Sequence, residues 1–466
     1  MALIQIESPR PAGGREGLTH RFAELWQLPI DYQRLRHTDT ARWLRGTMYR
    51  LFVGREGWPI VFRQPPGDGP RGVSAHLYVH LPFCRQICPH CPYNKMLYRA
   101  AMHDRYGHAL YAEIAAYFRE RPAPPVQTLY FGGGTPSVTP DLIRQSIEQI
   151  RPFLAVDADI GVEVHPADAD PHLLAELHAM GVNRVSLGIE TFRPDLLKRL
   201  GRSYTPEQAE QAIRNARAPA SGYPGFRCVD VNLICAIPGQ SDQDTAADAA
   251  RCLALGVDQI SAYTLFTFGH TTLGRQIRQR RLPVYGDRAR LKAQHAIARV
   301  CRKAGYHRTS PWNFTRPGMT PYSTVTREDY VGFGAGAGSK VDGAFWFNTF
   351  SVDAYVEQDR NRPALVLEAG ERFRRFHWLY WQLYRTQVAP QRYEEQFGRD
   401  LERDFGVLLA MLRAVGMARK ERGAWRVTEF GAVWMHRLQQ LFSITYIDDL
   451  WEHCRGEAWP REVVLS

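Results

Sequence analysis

Nowhere in the 466 residues do eighteen apolar side chains run together, and the first residues show no basic stretch leading into an apolar one. Neither a membrane span nor export is therefore expected, and the chain reads as cytoplasmic and free of membrane. The net charge is +11, yet the excess is mostly arginine scattered along the chain. Nucleic-acid binding predicts a stripe or run of Lys and Arg; the reading here is a solvated arginine-rich surface, with which an anionic small-molecule substrate is compatible. Cysteine is sparse too. Of eight, Cys228, Cys235, Cys252, Cys301 and Cys454 stand apart in apolar segments, the usage of a reducing compartment, where such residues are small core side chains rather than disulfide partners. There is no internal repeat. With 44% apolar residues, the chain can bury a large core, which suggests one large domain with appendages. A monomer is expected.

What is present is concentrated. Cys84, Cys88 and Cys91 form a C-x3-C-x2-C array directly after the strand-like run 75–80. Three thiolates can hold three irons of a 4Fe-4S cluster and leave the fourth open, whereas a structural zinc site needs four protein ligands. His80 or His90 could complete a zinc site, but a closed zinc module would usually show a second Cys/His pair, and none follows.

From residue 74 onward, short β-branched or aromatic runs (75–81, 128–131, 160–164, 184–189, 229–234, 259–265) alternate with helical patterns. Thr139-Pro140 and Asp170-Pro171 read as N-caps with proline at the first helical position, and Thr205 to Gln208 as a capping box. Tyr106, Leu110, Ile114 and Phe118 share one helix face. Six strands alternating with helices require a parallel sheet covered on both faces. The expected fold class is α/β, a partial (β/α)6 barrel with its active site at the C-terminal strand ends. Residues 1–73 are expected as an N-terminal extension ending in a Pro/Gly-rich linker, 74–345 as the barrel and its extension, and 346–466 as a mainly helical domain. Within the last, 407–430 resembles a winged helix. The glycines of 332–338 permit close backbone approach to a strand or a ligand.

Gly132-Gly133-Gly134-Thr135-Pro136 follows the second strand, where a glycine loop brings backbone N–H and C=O groups to a ligand. Together, Tyr78-Val79-His80-Leu81-Pro82-Phe83-Cys84, the cysteine triad, Tyr130 to Pro136 and Ile237-Pro238-Gly239-Gln240-Ser241 resemble the radical S-adenosylmethionine (SAM) enzymes of the oxygen-independent coproporphyrinogen III oxidase-like family. The resemblance covers roughly residues 74 to 345. It implies a radical SAM-type partial barrel in which Cys84, Cys88 and Cys91 are the metal ligands of a 4Fe-4S cluster. The open iron of that cluster would bind SAM, and reduction by a donor such as flavodoxin or ferredoxin would cleave SAM to a 5'-deoxyadenosyl radical. It further implies that Gly133, Gly134 and Thr135 line the methionine end of SAM, that Tyr78 sits near the sulfonium, and that Glu163, Glu190, Arg202 and Asn232 contact SAM. Tyr78 and Glu190 are the candidate catalytic residues. Glu163 and Glu190 lie in apolar runs, where an ionised side chain is costly unless paired.

Departures from the family pattern are expected to matter. Tyr93 stands where the oxidase usually has a further cysteine, Glu190 and Asn232 stand where glutamine and aspartate are common, and the segment 309–318 lacks the histidine of the related haem chaperones. Trp312, Tyr322 to Thr326 and Gly332 to Gly336 are instead similar to class C radical SAM methyltransferases, with Phe442 to Ile447 of the same kind. This points to two bound SAM molecules and to methyl transfer onto an sp2 carbon of a conjugated substrate. The alternatives are a coproporphyrinogen dehydrogenase-like or haem-modifying enzyme, and a haem-carrying chaperone.

Overall fold

The computed structural model describes residues 58–70, 72–120, 122–217, 225–279, 287–321, 329–358 and 362–465, together with part of 43–54. Six parallel strands form its centre: β1 (His76–Leu81), β2 (Val126–Gly133), β3 (Leu154–Val164), β4 (Arg184–Glu190), β5 (Cys228–Cys235) and β6 (Gln259–Thr264). They lie side by side in chain order; Val331–Phe333 adds a parallel strand beyond β1, and Asn313–Thr315 an antiparallel one beyond β6. Such parallel neighbours need crossovers. The helices Ala100–Glu120, Pro140–Ile150, Pro171–Ala179, Pro206–Arg217 and Asp242–Ala254 follow β1 to β5 in turn. The fold is α/β, a partial (β/α)6 barrel.

Alternation along each strand decides which side chains the helices cover. Leu77, Val79 and Leu81 join Leu129, Phe131, Val162, Leu187 and Val231 in one core with Leu110, Ile114 and Ile143 of the helices. The intervening residues, Tyr78, Tyr130, Glu163, Ser186, Asp230, Asn232 and Ser261, therefore face the concave side. Of the caps, Asp170 accepts from the backbone of His172 and Leu173, and Thr205 and Gln208 exchange both bonds of a capping box. Thr139 precedes its helix but makes no side-chain cap, its hydroxyl lying 3.4 Å from the Pro136 carbonyl.

A second, five-stranded antiparallel sheet runs in the order Gly338–Val341, Ala344–Phe347, Leu365–Glu368, Ile60–Arg63, Glu462–Leu465. It draws strands from before residue 73, from the end of the barrel region and from the C-terminus, and Ala344–Phe347 straddles residue 345. The long C-terminal helix Glu429–Gly456 packs on it through Tyr446 and Leu450. A separate core around Trp378, Leu383, Tyr393 and Leu409 unites three helices (Glu371–Tyr384, Pro390–Phe397, Leu401–Ala414) with the hairpin Ala418–Glu421/Ala424–Val427 and Gln387–Val388. The five isolated cysteines are free and buried. Among the described residues no helix is long and apolar enough to cross a membrane.

Candidate functional site

The three clustered cysteines leave the C-terminal end of β1. Cys84 lies in the short strand Phe83–Cys84, which pairs with Met96–Leu97, so the intervening loop carrying Cys88 and Cys91 leaves and returns at one place. The glycines of β2 pack against its base. A Cβ on Gly134 would meet the Pro82–Phe83 backbone at 2.6–2.7 Å, and one on Gly133, where φ is +114°, would strike the His80 ring. Only glycine permits that approach. Thr135 Oγ1 donates to Cys84 Sγ at 3.4 Å, and Arg202 Nη1 approaches Cys88 Sγ at 3.5 Å. Lys95 Nζ bonds the carbonyl oxygens of Cys91 and Tyr93.

These donors suit anionic sulfur. Burial pushes the Cys84 thiol up to about 11 against the pull of Thr135, and burial raises Cys91 against the pull of Lys95; metal binding is what would deprotonate them. Among the described residues no three His, Cys, Asp or Glu side chains converge on one ion. A 4Fe-4S cluster asks for something different, one thiolate on each of three irons, and the loop fits that group.

The carboxylates stand beside this loop. Glu163 Oε1 accepts from Tyr130 Oη at 2.6 Å; burial raises it to about 7, opposed by that phenol and by the Gly133 N–H. Glu190 ends β4 with φ +59°, at a shift in the β4–β5 register. Such a kink re-aims a side chain. Its Oε1 meets Arg202 Nη2 at 3.0 Å, and the same guanidinium bonds the Gly188 carbonyl (2.6 Å) and Tyr204 Oη (3.2 Å). Burial raises Glu190, while Arg202 pulls it back. Asn232 lies one strand further, with Nδ2 on Ser186 Oγ at 2.9 Å.

Tyr78 Oη lies 2.9 Å from His80 Nδ1, and His80 Nε2 lies 2.8 Å from the Asn94 carbonyl. A carbonyl only accepts, so Nε2 carries the ring proton and Nδ1 takes the Tyr78 hydroxyl. Burial lowers His80 to about 4, which keeps it neutral. His80, weighed in the sequence only as a zinc ligand, thus belongs to the site as the partner of Tyr78, and Asn94 and Tyr204, for which the sequence suggested no role, join it. Their one sequence signal was polar placement at alternate positions in apolar strands or next to a ligand residue.

The C-terminal helix closes the loop from outside. Arg455 Nη2 donates to the carbonyls of Pro92 and Tyr93, both at 2.9 Å. His270 bridges the Pro92 carbonyl and Asp448, each at 3.0 Å. Asn94 Nδ2 reaches the carbonyls of Ala335 and Phe350. Tyr93 is 54% exposed, and its ring meets that of Trp451 on the C-terminal helix with centroids 6.1 Å apart.

Residues 78–252 match the radical SAM superfamily model. The haem chaperone HemW of Mycobacterium tuberculosis is 31% identical over 314 residues, 64% of this chain and 79% of that protein. The chain belongs to the oxygen-independent coproporphyrinogen III oxidase-like family of radical SAM proteins. HemW of Bacillus subtilis is 27% identical over 76% of this chain and 95% of its own length. The oxygen-independent coproporphyrinogen III oxidase of Pseudomonas aeruginosa is 27% identical over 87% and 96%. The coproporphyrinogen III oxidase structure from Escherichia coli superposes with a TM-score of 0.66 at 23% identity, covering 80% of this chain and 90% of that one, which supports the fold. Membership implies a 4Fe-4S cluster and SAM.

These relatives overturn the expectation of a class C-like methyltransferase. The structure explains why its motifs misled. Trp312 packs against Tyr384 and His436 of the C-terminal region. A Cβ on Gly332, Gly334 or Gly336 would strike Gly338 O, Tyr106 Oη or Asn94 Nδ2, so these glycines serve close packing. Tyr322 to Thr326 lie outside the described residues, as do the side chains of Phe442, Ser443 and Ile444.

Proposed function

We propose that the chain is a radical SAM oxidoreductase acting on a tetrapyrrole, of the coproporphyrinogen dehydrogenase-like or haem-modifying kind. The observation that supports it best is the convergence, at the C-terminal strand ends, of a three-thiol loop with two partly buried carboxylates, one paired to an arginine that also reaches Cys88. In this reading Cys84, Cys88 and Cys91 hold the cluster. The backbone of Gly133, Gly134 and Thr135 borders the methionine end of SAM, and Glu163, Glu190, Arg202 and Asn232 bind its polar groups. Tyr78, with its hydroxyl committed to His80, presents its ring to the hollow beside Tyr130. When bound, the cluster and SAM supply one-electron cleavage chemistry, with 5'-deoxyadenosine as the spent product. The chain's own part is to orient SAM, exclude water and place the substrate against it.

The names of the HemW relatives favour a second reading, a haem-carrying chaperone. Anaerobic reconstitution separates the two. With reduced flavodoxin or ferredoxin and SAM, the oxidoreductase forms 5'-deoxyadenosine in step with conversion of coproporphyrinogen III or haem. Stoichiometric haem binding without 5'-deoxyadenosine would instead establish the chaperone. Equilibrium dialysis of the same sample counts SAM molecules per chain, one or two.

A further inference from the structure

Beside the proposed SAM groups, strands β4 to β6 carry a polar network whose carboxylate the functional reading does not use. Asp230 on β5 is 2% exposed. Its Oδ2 accepts from Ser186 Oγ at 2.8 Å, and its Oδ1 accepts from Ser261 Oγ at 2.8 Å and Gln259 Nε2 at 3.1 Å. An ionised carboxylate can only accept. The single hydroxyl proton of Ser186 therefore points at Asp230, and its lone pairs are left to receive. The Asn232 side-chain atom 2.9 Å away must then be the amide nitrogen, because an amide oxygen would face a lone pair. A carboxylate that Asn232 does not touch thus decides which way its amide turns. Among the described residues Asn232 Oδ1 accepts no side-chain hydrogen bond, and the residue is partly exposed on the concave face.

We propose that Asp230 and Ser186 are positioning residues that hold Asn232 with its carbonyl oxygen turned into the barrel hollow, as the acceptor for a hydroxyl or amino donor of SAM. The inference rests on the reading of Asn232 as a SAM contact. Replacing Asp230 by asparagine reverses the relay. The introduced amide can satisfy Ser261 and Gln259 with its oxygen and donate to Ser186 with its nitrogen. The serine proton then needs a new acceptor, which Asn232 supplies only by flipping, and N–H groups replace the acceptor in the hollow. Asn232→Asp alone also fails, since two carboxylates compete for one serine proton. In the double variant D230N/N232D the relay runs consistently in the reverse direction, and an oxygen again faces the hollow.

The test is SAM affinity of the anaerobically reconstituted full-length protein, with iron and sulfide content measured alongside. Asp230→Asn, Asn232→Asp and Asn232→Leu should each weaken SAM binding roughly tenfold, the worth of one hydrogen bond, at unchanged iron content. The double variant D230N/N232D should recover to within about threefold of the parent, on the same hydrogen-bond scale. Ser186→Ala, which frees the Asn232 amide without altering any charge, should weaken binding severalfold and covers the case in which Asp230→Asn loses its fold. Wild-type affinity in Asn232→Leu would overturn the SAM contact and this inference with it. Loss in Asn232→Leu with none in Asp230→Asn or Ser186→Ala, or a double variant no better than its parents, would overturn the relay alone.

Discussion

Strand β5 and the strand ends beside the thiol loop both hold carboxylates inside the barrel, but they satisfy them differently. On β5, Asp230 has three side-chain donors from two neighbouring strands. Beside the thiol loop, Glu163 has one phenol and one backbone N–H, and Glu190 sits at a left-handed backbone position with a single arginine. A buried carboxylate offers about four lone-pair sites. Where the chain fills them, the residue reads as scaffold; where it leaves them open beside a thiol loop, the proposed function makes SAM the partner.

The strongest way to break this comparison is at the thiols. Replacing Cys84, Cys88 and Cys91 together by alanine should abolish iron and sulfide binding, while near-ultraviolet circular dichroism shows a packed barrel, because the interior network does not depend on them. A full complement of iron in that variant would refute the thiol loop as the cluster site.

Next in size is the paired charge. Arg202→Met leaves the partly buried Glu190 without its partner, an expected loss of about 3 kcal/mol in chemical denaturation, which adding Glu190→Gln should largely restore. If the double variant is no more stable than Arg202→Met, the two side chains are not a pair. On β5, Asp230→Leu strips a partner from Ser186, Ser261 and Gln259 and should cost roughly 3 kcal/mol. A neutral result there would mean that water replaces the carboxylate. Glu163→Gln has the opposite profile, with unfolding stability changed by under about 1 kcal/mol but SAM affinity reduced roughly tenfold as a charge-assisted bond is lost. Equal affinity would move Glu163 from ligand to scaffold.

The smallest effect is in pH. Burial raises Asp230 to about 6 from an ordinary 3.8, so the folded state holds its proton longer than the unfolded chain does. Its stability contribution is fully present below pH 3.8 and lost as pH rises through 6. That amounts to a decline of about 1 kcal/mol between pH 5 and 7. Asp230→Asn should show a decline shallower by that amount, and an identical pH profile would mean the carboxylate titrates normally.

The family and the six strands were legible because their signals are local: cysteine spacing and a run of three glycines for the one, apolar periods broken by Pro and Gly for the other. Glu163 and Glu190 announced themselves by being charged in apolar runs. Ser186, Asp230 and Ser261 carried the same signal more faintly, since a serine or one aspartate in a strand is common. The methyltransferase reading failed because glycine has two uses. Gly332, Gly334 and Gly336 look the same in sequence whether they admit a ligand or a neighbouring backbone.

By itself, then, the sequence determined the radical SAM family and the α/β scaffold, though not the reaction, because thiol spacing and side-chain periodicity are properties of neighbouring residues. Only the tertiary structure decided which polar groups meet. The β4–β5 register brings Ser186 between Asp230 and Asn232 across 46 residues of chain. The C-terminal helix lays Arg455 on the carbonyls of Pro92 and Tyr93 across more than 360. Hydrogen-bond direction depends on what lies across a strand gap, and no period or motif along one segment encodes its partner on another.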